Sequence, residues 1–160
     1  MAVIVRRLFR IGRLPDELRA QVEAEGLRFL EEYVPVTRRF SGRIPGKRAH
    51  GDVASYTGAL ALTDERVLAT LSTVPKLAAR SVDQRWDAEQ SGNTTVELSE
   101  TGLLIGVDLP AVDPRFSGTL SLHYKADLDP GLLASLPLRR LAFDVPPGYV
   151  FRAVGVPYDP

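Results

Sequence analysis

The sequence predicts a single, mainly β domain, a bent antiparallel sheet or partly open barrel of about seven strands with one helix before it and a short helix near its end. Three observations carry this. Residues 53–72, VASYTGALALTDERVLATLS, place Tyr56, Leu60 and Leu62 at even positions and Ser55, Thr57, Ala59 and Ala61 at odd ones; a polar turn, Thr63-Asp64-Glu65-Arg66, then separates this run from a second apolar one, which reads as a β-hairpin. Further short apolar runs recur at regular spacing between clusters of Gly, Pro, Asn, Asp and Ser, the pattern of a sandwich or barrel and not of βαβ winding. At 160 residues and 44% hydrophobic content, the chain suffices for one domain with a real core.

Residues 1–14 form a basic, apolar N-terminal arm, and residues 15–160 the domain with its C-terminal tail. Arg6, Arg7, Arg10 and Arg13 alternate with Val3, Ile4, Val5, Leu8, Phe9 and Ile11 without an acid. As a helix the arm would lie on an anionic surface; as an edge strand it would use its β-branched residues, and both readings stand. Pro15 suits a first helical position, Asp16 and Glu17 the positive end of the dipole, Leu14, Leu18 and Val22 recur at i+4, and Gly26 is a stop, so a helix is expected over 15–25. From Leu27 the pattern becomes extended to Phe40, with Glu31-Glu32 breaking the alternation at an expected bulge. Strands follow over 53–62, 66–72, 77–86, 94–99, 103–109 and 118–124. Asp129 as N-cap, Pro130 at N1 and Leu132, Leu133 and Leu136 predict a short helix over 129–136. Residues 139–145 are again extended, and Tyr149 to Val154 fit a closing helix or a final strand equally well.

Gly58, Leu60, Leu62, Thr63 and Arg66, in the order G-x-L-x-L-T-x-x-R, resemble the central hairpin of bacterial pleckstrin-homology-like and GRAM-type domains. The resemblance spans roughly residues 30–125 and implies a bent sheet of the same kind, with the 63–66 turn structural. The composition, rich in Arg, Ala, Leu and Val and poor in Lys, resembles that of actinobacterial proteins. In family members that bind phosphoinositides, basic residues at the end of the first strand and in the loop after it grip the headgroup phosphates. The matching segment here is Thr37 to His50, which holds five positive charges and no acid. Read as a loop, it offers Arg38, Arg39, Arg43, Lys47, Arg48 and His50 to an anionic partner. The competing reading is a solvated loop whose charges protect a sheet edge from aggregation.

Twenty Lys/Arg and twenty Asp/Glu cancel, so no global field draws the chain to nucleic acid. Residues 1–82 nonetheless carry 14 basic against 9 acidic side chains, and residues 83–144 carry 5 against 10. Two differently charged faces, or a sheet that mixes the halves, both follow from this. The lack of cysteine removes disulfides, thiolate metal sites and a cysteine nucleophile, and with no signal-peptide core it points to a cytoplasmic protein, at most peripheral to the inner face of the membrane. His50 and His123 have no metal-ligand spacing, no G-x-S-x-G elbow appears, and Gly42 to Lys47 departs from the spacing of a phosphate loop. Trp86 reads as a core or barrel-end plug before a ligand-stacking residue. Arg-Phe-Ser-Gly occurs at 39–42 and again at 115–118 without similar flanks, as two strand-end turns would use it. With no catalytic constellation, metal or cofactor motif, the expected role is an interaction module for a protein partner or an anionic lipid surface. The alternatives are a ligand-binding barrel lined by Tyr56, Leu60, Val82, Trp86, Leu120 and Leu122, carrier or enzyme, and a structural subunit whose N-terminus and 146–160 tail lie across a neighbour.

Overall fold

The structure, a computed structural model, describes residues 13–74 and 77–156. Helix α1 (Asp16–Ala24) leads into β1 (Leu27–Ile44), β2 (Lys47–Thr63), β3 (Arg66–Val74), β4 (Leu77–Arg85), β5 (Thr94–Ser99) and β6 (Gly102–Asp108). A single turn of helix, α2 (Leu109–Val112), precedes β7 (Ser117–Lys125), and α3 (Pro130–Ser135), β8 (Arg140–Phe143) and α4 (Pro147–Val154) complete the fold. The eight strands form one antiparallel sheet in the order β4-β3-β2-β1-β7-β6-β5-β8, nearly closed into a barrel. The segment expected to be extended after residue 139 supplies the eighth strand, and the undecided run after Pro146 is a helix.

Each position of the hairpin motif has a physical reason. Leu60 and Leu62 are fully buried on the concave face. Thr63 Oγ1 accepts from the backbone N–H of Glu65 and Arg66 and so shapes the turn. At Gly58 an added Cβ would stand 2.1 Å from Thr70 O and 2.8 Å from the Tyr124 ring. Only glycine lets β7's Tyr124 reach across the barrel, where its hydroxyl donates to Thr70 O at 2.9 Å and lies 2.5 Å from Ser81 Oγ. Ser81 is the extra residue of a bulge in β4, between the pairs Ala69–Val82 and Thr70–Arg80.

The alternation in β2 predicts one buried face, but both faces of its second half are buried. The odd residues Ala59 and Ala61 join Leu68 under Leu14, Leu18 and Val22 of the α1 segment. Nine residues are too few for a stable isolated helix in water, whereas each buried aliphatic side chain contributes about 1.5–3 kcal/mol, so docking on the sheet is what holds α1. The expected bulge at Glu31-Glu32 exists, as a register shift between Glu31 and Val34. It aims Glu32 at α1, where its carboxylate accepts from Leu14 N at 2.7 Å and Arg19 Nη1 at 3.0 Å. Arg66, the last residue of the 63–66 turn, is buried and bridges Glu25 of the α1 C-terminus to Asp83 of β4, both at 2.9 Å.

Helix α4 fills the concave side. Val150, Phe151, Ala153 and Val154 are buried, and Phe151 meets Phe116 edge to face with ring centroids 5.6 Å apart. Three side chains tie its backbone and its tyrosine to the sheet: Tyr56 Oη donates to Ala153 O at 3.1 Å, Arg38 Nη1 to Val154 O at 3.0 Å, and Tyr149 Oη to Ser81 O at 2.9 Å. Trp86 is a core residue whose Nε1 donates to Thr63 O at 2.8 Å. As predicted, α3 is capped by Asp129, whose carboxylate accepts from Gly131 N and Leu132 N.

Candidate functional site

The basic segment read as a loop is the tip of a β-hairpin. Strand β1 runs on to Ile44 and β2 begins at Lys47, with only Pro45 and Gly46 between them. Strand geometry then sorts the charges onto two faces. Val36, Arg38, Phe40 and Ile44 are buried on the concave side, while Arg39 and Arg43 are exposed on the convex side.

Arg38 is therefore not available to a partner, and its expected role is corrected. It is 2% exposed. Its charge is tolerated because Nη2 donates to Asp52 Oδ2 at 2.8 Å and Nη1 to the last carbonyl of α4, the negative end of that helix. Lys47 turns toward the same carboxylate, with Nζ 3.0 Å from Asp52 Oδ2. The hydrogen bond from Lys47, with the adjacent charge of Arg38, holds the Asp52 carboxyl below the ordinary carboxylate range. Arg38, Lys47 and Asp52 are thus a latch between the hairpin and α4.

The remaining cations form the outer face. Arg39, Arg43, Arg48 and His50 are exposed, and none has a hydrogen-bond or ion-pair partner among the described residues. Arg43 and Arg48 stand directly opposite each other in the β1–β2 ladder. Like charges in that position are destabilising, and no acid is interposed to relieve them. They border an open depression of about 780 Å³ with Ser41, His50 and Ser117 on its walls. Ser41 and Ser117 come from the two Arg-Phe-Ser-Gly segments; the second does lead into a strand, β7, but the first, expected as a strand-end turn, lies inside β1.

Arg13, proposed as part of a surface anchor, pairs with Asp16 at 3.3 Å and Glu32 at 3.8 Å at the start of α1; Arg6, Arg7 and Arg10 lie outside the described residues. His50 on the hairpin tip and His123 on β7 are not brought together: His123 sits opposite Thr37, its Nε2 3.2 Å from Thr101 O. No group of three or more His, Asp or Glu side chains converges among the described residues. Burial, and then the charge of Asp127, raises the Glu31 carboxyl above its ordinary range in a second shallow depression beside His123 and Lys125. The proposed barrel lining of Leu60, Val82, Trp86, Leu120 and Leu122 belongs to the packed core around α4, with Tyr56 partly buried against it. Between β4 and α4, a slit of about 10 Å³ bordered by Leu71, Ser81, Leu122 and Tyr149 has room for about one water.

No family model, curated protein or solved structure matches the chain. Among the described residues no helix is long and apolar enough to cross a membrane.

Proposed function

We propose that this chain is a non-enzymatic interaction module that docks to an anionic surface, of a protein partner or a membrane, through the convex face of its β1–β2 hairpin tip. The observation that carries the reading is the exposed set Arg39, Arg43 and Arg48, unpaired among the described residues, with Arg43 opposed to Arg48. Charges arranged at a cost to the hairpin gain by meeting an external anion. The packing of α4 where a carried ligand would sit favours docking over a ligand-carrying barrel.

The test is capture from soluble and membrane fractions, alongside sedimentation with anionic and zwitterionic vesicles, for the native protein and an Arg39→Glu/Arg43→Glu/Arg48→Glu variant. Native binding is expected to weaken steeply with salt and to fall about a hundredfold in the variant, whose folding is unchanged because all three side chains are exposed. Binding retained by the variant, or absent at low salt from every fraction, sinks the reading. The variant spares Arg38, whose reversal would unlatch α4.

A further inference from the structure

We infer that the outer edge of β2, from Lys47 to Tyr56, takes an extended acidic peptide as an added strand. This rests on the docking face proposed above and specifies its partner.

Strand β2 changes character at Thr57. Every residue from 57 to 63 is buried, and none from 47 to 56 is. The neighbouring strands explain the change. β1 accompanies β2 along its whole length, whereas β3 pairs with it only from Thr57–Ser72 to Leu62–Val67. Before Thr57, among the described residues, no strand pairs with the outer edge and no backbone hydrogen bond from a turn or loop reaches it. Every second residue of a strand points its N–H and C=O to the same side, so this stretch presents a row of unpaired donors and acceptors in line with β3.

The side chains beside that row select what can pair with it. Two residues of β2, His50 and Gly51, stand against Ser41 alone, a bulge that keeps Arg48, His50, Val53 and Ser55 together on the convex face. Arg43 stands behind Arg48, and Val53 is 51% exposed. An incoming strand therefore meets guanidinium groups and an imidazole on that face, then an apolar side chain. Carboxylates at alternate positions answer the first, and apolar residues suit Val53. Cations and a bulge also guard an edge against strands of its own kind. A second copy would add its own Arg43 and Arg48 to this face, whereas an acidic strand neutralises those present, so one device rejects the copy and admits the peptide. A lipid surface would use the cations and leave the edge groups unpaired. The extended peptide uses both.

The probe is a capped peptide of about eight residues in which Glu and Val alternate, titrated into the full chain and followed by amide NMR. In such a strand the Glu N–H groups face one edge and the Val N–H groups the other, so only one set can bond to β2. Saturable shifts are expected along Lys47–Tyr56, with about tenfold weaker binding when Gln replaces Glu in the peptide or in the variant Arg48→Gln. Of two peptides N-methylated at every Glu or at every Val, one should bind as the parent does and the other at least about tenfold more weakly. No saturable binding of the parent at millimolar concentration, equal binding by the methylated pair, or shifts centred outside β2 overturns strand addition. So does a dimer seen by sedimentation whose formation protects Lys47–Tyr56 from hydrogen exchange, since a second copy then holds the edge. The docking face would survive that failure if the triple-reversal variant still loses its captured partner, so the two readings are judged separately.

Discussion

Arg38 Nη1 donates to the carbonyl oxygen of Val154 at 3.0 Å, tying the middle of β1 to the last turn of α4 across 116 residues of sequence. The same guanidinium holds Asp52, so one side chain positions both the hairpin and the helix that fills the barrel. Replacing it with alanine leaves the carbonyl that ends α4 without its side-chain donor, empties the buried place of the guanidinium and leaves the partly exposed Asp52 with Lys47 alone. A loss of about 2–4 kcal/mol in urea unfolding is expected for Arg38→Ala, against less than about 0.5 kcal/mol for the neighbouring, exposed Arg39→Ala. Equal effects at the two positions would refute the latch.

Gly118→Ala is expected to cost about 3 kcal/mol or more, because its φ of +96° and a carbonyl 2.0 Å from the new Cβ penalise any side chain. Gly51 makes the control. It also has a positive φ, +67°, but open space around it, so Gly51→Ala should cost only about 1 kcal/mol. Thermal or urea midpoints separate the two, and a mild Gly118→Ala would show that the strands can part there.

Tyr124 and Tyr149 should resist ionisation. Burial raises both phenols above their ordinary value of 10.0. The unfolded chain then loses these protons near pH 10 while the folded chain keeps them. Stability from this source is complete below pH 10 and falls above it by about 1.4 kcal/mol per pH unit for each group. Absorbance titration should show Tyr124 and Tyr149 silent until the protein unfolds, and their ordinary titration in the folded state would contradict the packing of α4.

Tyr124→Phe removes the hydroxyl that meets Thr70 O and Ser81 Oγ. With those buried groups left short, about 1–3 kcal/mol should be lost. Hydrogen exchange should localise the loosening to β3 and β4; a uniform change across the sheet would argue that the bridge between the two sides carries no special weight.

Arg66→Leu should loosen α1 selectively, since it leaves Glu25 without its buried cation while Asp83 keeps Arg80 at 2.6 Å. The expected cost is about 2–3 kcal/mol, with faster amide exchange in α1 than in β6 or β7. Unchanged exchange in α1 would mean that the apolar contacts of Leu18 and Val22 hold the helix alone.

Most of the architecture was legible because it depends on local rules. Alternation marked the strands, Asp129-Pro130 marked a helix start, and Glu31-Glu32 marked a bulge. The candidate site was legible only as composition: five cations in one segment, without the turn that sorts them. Reading Pro45-Gly46 as part of a long loop left Arg38 and Arg39 equivalent. A two-residue turn makes them opposite, one in the core and one in solvent, because neighbouring side chains on a strand point to opposite faces.

By itself the sequence determined the fold class and most of the strands, together with the helices that begin at Asp16 and Pro130, since these follow from the spacing of apolar residues and from Gly, Pro and Asp chemistry. Tertiary structure alone decided what those elements touch. It set Gly42 against Gly118, put α1 over the second face of β2 and drew α4 into the barrel. Strand register and the docking of helices join residues far apart in the chain, and no local periodicity encodes which distant surface will exclude water from a given face.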